Sequence, residues 1–205
     1  MIEPTVFVVD DDAGVRQSLR AVLRAAGLHA EAFASSDEFL RAYSPERPGC
    51  LILDLRLGAG SDGLNLQDEL RQRGSALPII VLTGRATIAA SIRALKAGAF
   101  DFLRKPVAPK RLLERVREAI EIDRRHREEI AARAGVAERL ASLTPRERQV
   151  MDLLVAGKTS KEIAVALDMS VRTAEGHRRQ VLGKMRVSSA EQLVAVALRG
   201  AAAKP

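Results

Sequence analysis

The sequence predicts an α/β domain, a parallel sheet with helices on both faces, over residues 1–122. An all-α domain of four short helices follows over 142–205, and a helical linker, 123–141, joins the two. Three observations carry this. Short apolar runs alternate with helical periodicity through the first 120 residues. The strand signal then stops. The last sixty residues carry repeated helix caps.

The apolar runs are Thr5–Val9, His29–Phe33, Leu51–Leu53, Ile79–Leu82 and Phe100–Leu103. Between them, helical spacing fills Val15–Ala26, Asp37–Tyr43, Leu64–Arg73, Ile88–Ala97 and Arg111–Ile122. Gly27, Gly74 and Gly98 stand where helices should stop. Ser35 and Glu38 have capping-box spacing for the second helix. Five strand–helix units of this length imply parallel strands linked by right-handed crossovers. The runs at 6–9 and 51–53 are apolar throughout, as expected of central strands covered on both faces.

Beyond Pro109 no strand signal appears. Leu112, Leu113, Val116, Ala119 and Ile120 form one apolar stripe facing the sheet. The stretch 122–134 is charged, with mixed signs at helical spacing. It suits a solvated helical spacer better than a coiled-coil seam, which would have Ile130 and Ala134 and little else. Gly135 is a candidate interruption.

In the last third, Thr144, Pro145 and Glu147 combine an N-cap, an N1 proline and a capping box. Val150, Leu153 and Leu154 give that helix its buried face, and Gly157 ends it. Thr159 or Ser160 caps the next helix, with Ile163, Ala164 and Leu167 inward. After a tight turn, Ser170 caps a third helix, Val171 to about Met185. A fourth runs from Ser189 or Ala190 to Arg199. Two short helices joined by a three-to-four-residue turn make a helix-turn-helix, whose second member enters the major groove. At 100° per residue, Val171, Ala174, Val181, Leu182 and Met185 face inward. Arg172, Thr173, Gly176, Arg179, Gln180 and Gly183 lie roughly opposite. Arg suits guanine edges and Gln suits adenine. Lys158, Lys161, Lys184 and Arg186 are placed for phosphates. A helical protein-binding module with a basic solvated face is the alternative.

Composition narrows function. The 205 residues include one Cys, three His and no Trp, and aromatics are 3%. A disulfide framework and a structural zinc site are excluded, and an aromatic ligand pocket or base-stacking platform is disfavoured. No run approaches a membrane span, and the N-terminus lacks the build of a secretory signal, so a cytoplasmic protein is expected. The net charge is +7. Residues 1–120 hold 17 basic and 15 acidic groups, and 121–141 hold 5 and 5. Residues 142–205 hold 11 and 6, so the excess sits where a polyanion would be met.

Polar residues follow four strands: Asp10, Asp11 and Asp12 the first, Asp54 the third, Thr83-Gly84 the fourth, Lys105-Pro106 the fifth. Ligands of open α/β sheets bind at that edge. Clustered carboxylates suit a hard divalent cation such as Mg²⁺. A carboxylate beside such a cation can attack a phosphoryl group and form an acyl phosphate. The Thr83 hydroxyl, the Gly84 N–H and the Lys105 ammonium could then bind the phosphoryl oxygens. Read singly, each piece has a plainer use, such as helix capping by Asp10–Asp12. A haloacid-dehalogenase-type phosphatase would need a second acid two residues past Asp54, where Arg56 stands.

The segments V-F-V-V-D-D-D (6–12), L-I-L-D-L-R-L (51–57), P-I-I-V-L-T-G (78–84) and A-L-K-A-G-A-F-D-F-L-R-K-P (94–106) resemble the receiver domain of two-component response regulators. L-T-P-R-E-R-Q-V (143–150), G-K-T-S-K-E-I-A (157–164) and M-S-V-R-T-A-E-G-H-R-R-Q-V (169–181) resemble the LuxR-type helix-turn-helix. Together the chain resembles FixJ/NarL-type response regulators. That resemblance implies a flavodoxin-like receiver with strand order 2-1-3-4-5 and Asp54 as phosphoacceptor. It implies Mg²⁺ held by Asp10, Asp11, Asp54 and the Arg56 backbone carbonyl. Thr83 and Phe102 become the switch pair, Lys105 the site lysine, and the Lys105–Pro106 bond cis. The implied partners are a sensor histidine kinase, promoter DNA and RNA polymerase. Phosphorylation would promote homodimerisation through the face bearing the helix over 88–97, the fifth strand and the helix over 111–122. The loop after Asp54 departs from such receivers: Gly58 replaces a proline, and one residue is added before Gly63. Arg85, two residues past Thr83, occupies a place where the lifetime of the phosphoryl group is tuned.

Overall fold

In a computed structural model, which describes residues 3–58, 61–84, 96 and 98–201, strands and helices alternate as the apolar runs require. The elements of the first part are β1 (Thr5–Val9), α1 (Ala13–Ala25), β2 (His29–Phe33), α2 (Ser36–Ala42) and β3 (Gly49–Leu53). They continue with β4 (Arg56–Leu57), β5 (Ser61–Asp62), α3 (Gly63–Gln72), β6 (Ile79–Thr83) and β7 (Asp101–Arg104). Five strands form one sheet in the order β2-β1-β3-β6-β7, every pair parallel. This is the flavodoxin-like order, with β1 and β3 adjacent at the centre. Both are buried along their whole length, which is why they read as unbroken apolar runs.

Alternate side chains of these strands feed two cores. Phe7, Val9, Leu51, Leu53 and Val81 pack with Phe33, Phe39, Leu66 and Leu70. Val6, Val8, Ile52, Ile80 and Leu82 pack on the other face with Leu19, Leu23, Leu112, Val116 and Ala119. The stripe read on the helix after Pro109 is therefore its docking face. Asp12 caps α1 by accepting from the Gly14 and Val15 N–H groups, and Ser35 caps α2 by accepting from Glu38. One element is absent from the sequence reading: β4 and β5 pair antiparallel as a two-residue ribbon in the loop after Asp54. Two residues are too short for any periodic signal. The helix expected over Ile88–Ala97, and Arg85, fall outside the described residues save for Lys96.

The next helix, α4, runs unbroken from Pro109 to Ala141, so Gly135 does not interrupt it. A glycine inside a helix costs about 1 kcal/mol relative to alanine, and the good helix formers Ala131, Ala132, Ala134 and Arg133 around it absorb that cost. The chain divides within this helix into two packed units, Met1–Arg127 and Glu128–Pro205.

The second unit adds α5 (Pro145–Val155), α6 (Ser160–Ala166), α7 (Val171–Met185) and α8 (Ala190–Ala201). Its core is Val150, Met151, Leu154, Ile163, Ala164, Ala174, Val181, Met185 and Leu193. Thr144 and Thr159 each close a full capping box, with Glu147 and Glu162. Thr159 rather than Ser160 is thus the cap of α6. Val171, expected inward, is 40% exposed. It lies about 60° from the centre of the buried arc, in the first turn, where neighbouring helices do not reach it.

Candidate functional site

The first site grows out of the C-terminal edge of the sheet. Asp10, Asp54 and Lys105 directly follow β1, β3 and β7, Thr83 is the last residue of β6, and the sheet hydrogen bonding carries past the strand ends. The Asp54 N–H donates to the Val9 carbonyl, and the Lys105 N–H to the Thr83 carbonyl, both at 2.9 Å. Four side chains far apart in sequence are thereby fixed at neighbouring strand ends.

Lys105 ties the two carboxylates together. Its Nζ donates to Asp10 Oδ2 at 2.5 Å and to Asp54 Oδ2 at 2.6 Å. Asp10 is 2% exposed and Asp54 8%. Burial pushes the Asp10 carboxyl above its ordinary value, and the hydrogen bond from Lys105 only partly counters this. Burial also works against the Lys105 charge, but the bonds to Asp10 and Asp54 outweigh it and leave its pKa raised. The Lys105–Pro106 bond is cis. Backbone donors hold the remaining carboxylate oxygens. The Asp12 N–H reaches Asp10 Oδ1 at 3.0 Å, and the Arg56 N–H reaches Asp54 Oδ1 at 3.1 Å. Asp12 itself is spent on capping α1, so the acidic triplet divides its labour.

Asp10, Asp11 and Asp54 each offer one oxygen, and the three atoms lie within 4.8 Å of one another. Hard oxygen donors at that spacing fit a hard divalent cation. The Arg56 carbonyl, the fourth donor expected, lies two residues past Asp54 on β4. Thr83 is 1% exposed. Phe102 is partly buried and packs on the core that contains Phe7 and Val81. Gly63 starts α3 directly against this site: a Cβ there would lie 2.4 Å from the Asp54 carbonyl oxygen. Gly63 is thus a close-approach glycine.

The second site lies on α7. Arg172, Thr173, Arg179, Gln180 and Lys184 are exposed, Gly176 is half-buried, and Ala174, Val181 and Met185 are buried. The turn that aims α7 runs through Leu167–Ser170, with Asp168 at φ +48°. Arg146 of α5 donates to the Leu167 carbonyl and so pins this turn, a role the sequence reading did not assign. The Thr173 hydroxyl is hydrogen-bonded to Ser170 at 2.8 Å. Lys158 pairs with Glu162 at 3.1 Å, and Lys161 is exposed on α6. Lys184 has an unexpected partner. Its Nζ donates to Glu147 Oε2 at 2.6 Å and to the Ser142 carbonyl at 3.2 Å. Its ammonium is thus tied to a buried carboxylate of α5, while the residue itself stays exposed.

A family model described as the response regulator receiver domain matches residues 6–117. A second, described as bacterial regulatory proteins of the luxR family, matches residues 141–197. The chain is a FixJ/NarL-type response regulator. This response regulator is 38% identical over 194 residues to the transcriptional regulatory protein FixJ of Bradyrhizobium diazoefficiens, spanning 95% of this chain and 94% of that one. It is 40% identical over 189 residues to nodulation protein W of the same organism, spanning 92% and 83%. Among solved structures it superposes on the response regulator StyR with a TM-score of 0.89, at 36% identity over 96% of this chain and 99% of that chain. Full-length FixJ from B. japonicum gives a TM-score of 0.60 at 36% identity, with both chains fully covered. The response regulator therefore pairs a receiver domain, the partner of a histidine kinase, with a LuxR-type DNA-binding domain, and it is a transcription regulator rather than a metabolic enzyme. Among the described residues no helix is long and apolar enough to cross a membrane.

Proposed function

We propose that Asp54 accepts a phosphoryl group from a sensor histidine kinase and that this controls sequence-specific binding of promoter DNA by α7. The observation that supports it most is the bridging of Asp10 and Asp54 by the Lys105 ammonium at the sheet edge. An Asp54 carboxylate oxygen attacks the phosphorus, the bond from phosphorus to the kinase histidine nitrogen breaks, and an acyl phosphate forms. Lys105 exchanges its bond to Asp54 for one to a phosphoryl oxygen, and the Thr83 hydroxyl donates to another. Asp10, Asp11, Asp54 and the Arg56 carbonyl would hold Mg²⁺, which when bound neutralises charge between the carboxylates and the phosphoryl oxygens.

Residues 1–122 act as the receiver, 123–141 as the helical linker and 142–205 as the DNA-binding domain. Phosphorylation adds about −1.5 to −2 charge. Thr83 then moves toward it, Phe102 turns inward, and the surface around β7 and the first turns of α4 favours a homodimer. Arg172, Thr173, Gly176, Arg179 and Gln180 face the bases, with Lys158 and Lys161 toward phosphates. RNA polymerase is the downstream partner, and the cytoplasm, where the DNA is, the place of action. Labelling with acetyl phosphate in Mg²⁺ tests the core of this reading. The wild type should incorporate one acid-labile phosphoryl group and Asp54→Ala none, and light scattering of the phosphorylated form should show a dimer. Equal labelling of both proteins would overturn it.

A further inference from the structure

Two of the three clustered carboxylates are held twice. Asp10 accepts from the Asp12 N–H and from Lys105, and Asp54 from the Arg56 N–H and from Lys105. Asp11 is different. It is exposed, it is outside the pair bridged by Lys105, and it accepts from the Gly58 N–H, 3.0 Å from Oδ2 and 47 residues away in sequence. An exposed aspartate without such a tether rotates into solvent, because water solvates it as well as the pocket does. Gly58 makes the bond from a left-handed conformation, φ +69°. That conformation strains most side-chain-bearing residues but not glycine. A proline at 58 could offer neither the N–H nor the positive φ.

We propose that the Gly58 N–H is a positioning donor for the cation site: by holding Asp11 Oδ2 it fixes the carboxylate so that Asp11 keeps an oxygen close to those of Asp10 and Asp54. The inference rests on the reading that this pocket binds a divalent cation. Partners that orient a ligating carboxylate commonly set metal affinity by an order of magnitude or more when removed. Here the bond is exposed to water, so the expected effect is the lower end of that range. The departure at Gly58 thus substitutes one means of shaping the loop, a rigid ring, for another, a hydrogen bond to the metal ligand itself.

The test measures cation binding directly, by calorimetric titration of the full-length protein with Mg²⁺ and by the spin-resonance signal of added Mn²⁺. Gly58→Pro should bind both about tenfold more weakly. Gly58→Asn keeps the N–H, tolerates the left-handed conformation, and has open space at its Cβ; it should match the wild type within about twofold. Should Gly58→Pro fail to fold, the wild-type fold still answers. The Gly58 amide proton resonance should move upfield in Asp11→Ala, as a charge-assisted bond is lost. Unchanged or tighter binding by Gly58→Pro overturns the proposal, as does an equal loss in Gly58→Asn or an unmoved Gly58 amide. Loss of binding in Asp54→Ala and Asp11→Ala beside unchanged Gly58→Pro would leave the cation reading standing and remove only this inference. Full binding in all of them would remove both.

Discussion

Lys184, in the last turn of α7, donates a 2.6 Å hydrogen bond to Glu147, the third residue of α5. The same Glu147 oxygen accepts the Thr144 N–H of the capping box at 2.7 Å. One buried carboxylate thus closes the N-terminus of α5 and anchors the C-terminus of the recognition helix. The cation lies at the negative end of α7 and the anion at the positive end of α5, so both helix dipoles favour the pair.

Lys184→Ala should therefore act on stability rather than on phosphate contact. It leaves a carboxylate that is 5% exposed short of a charged donor. With Lys184 itself 38% exposed, the expected loss is about 1–2 kcal/mol. Hydrogen exchange of the α5 and α7 amides reads that loss in the full chain. The salt dependence of binding to random duplex should keep its slope, whereas a phosphate-contacting lysine would lower it by about 1. A lowered slope with unchanged amide protection would return Lys184 to the DNA.

The same pair sets an acid limit. Hydrogen bonds from Lys184 and then from the Thr144 backbone hold the Glu147 carboxyl at about 2, against an ordinary 4.5. A group lowered on folding contributes stability that is complete above its unfolded pKa and disappears as pH falls through the folded one. The DNA-binding unit should accordingly lose stability between pH 4.5 and about 2. Glu162, also held at about 2 by the Thr159 backbone and hydroxyl and by Lys158, adds its own share. The comparison is therefore with Glu147→Gln, which should be less stable at pH 7 and show a shallower fall. Parallel pH curves for the two proteins would refute the assignment.

A third prediction concerns the start of the linker. Asp123 is 2% exposed and accepts the Gly49 N–H at 2.8 Å and Arg127 Nε at 2.8 Å. Arg127 also donates to the Pro45 and Arg47 carbonyls, both at 2.9 Å. Asp123→Ala leaves a buried N–H without its acceptor and Arg127 without its counter-ion, so about 2–4 kcal/mol should be lost. Urea denaturation followed through the amides of β1 and β3 measures this; a change within about 0.5 kcal/mol, the size of a surface substitution, would show the network to be incidental.

Asp123 also shows where sequence reading stops. The sheet and the acidic edge were legible because apolar runs and turn residues are local signals, and the carboxylates sit one residue past the strands; the strand order came from the resemblance to receiver domains. The capping box at Thr144 was legible as a local signal too, and the cap of α6 was narrowed to Thr159 or Ser160. Asp123 lies in a stretch of alternating charge that looks solvated, and its partner Gly49 is 74 residues away. Nothing local marks it. The second role of Lys184 was hidden in the same manner: its position on α7 suits DNA, and the buried acceptor it also meets belongs to another helix. The bond from Gly58 to Asp11 needed the folded loop, although the missing proline pointed to the right residue.

The last prediction separates reading from anchoring on DNA. On α7, Arg172, Arg179 and Gln180 span an arc roughly opposite Ala174, Val181 and Met185, and all three are exposed. Arg179 sits in the middle of the helix, about 80° from Val171 on the exposed side, where a guanidinium has the reach to meet a guanine edge bidentately. Such a contact is worth about 1–3 kcal/mol, and it is forfeited only on the correct base pair. Lys161 lies in the first turn of α6, outside the recognition helix, where a lysine meets phosphate whatever the sequence. Arg179→Ala should therefore weaken the specific site by about tenfold to a hundredfold and random duplex little. Lys161→Ala should weaken both alike and lower the salt slope by about 1. Titrations of both variants against the two duplexes at several salt concentrations decide the matter, and equal losses on specific and random DNA for Arg179→Ala would remove it from the base-reading set.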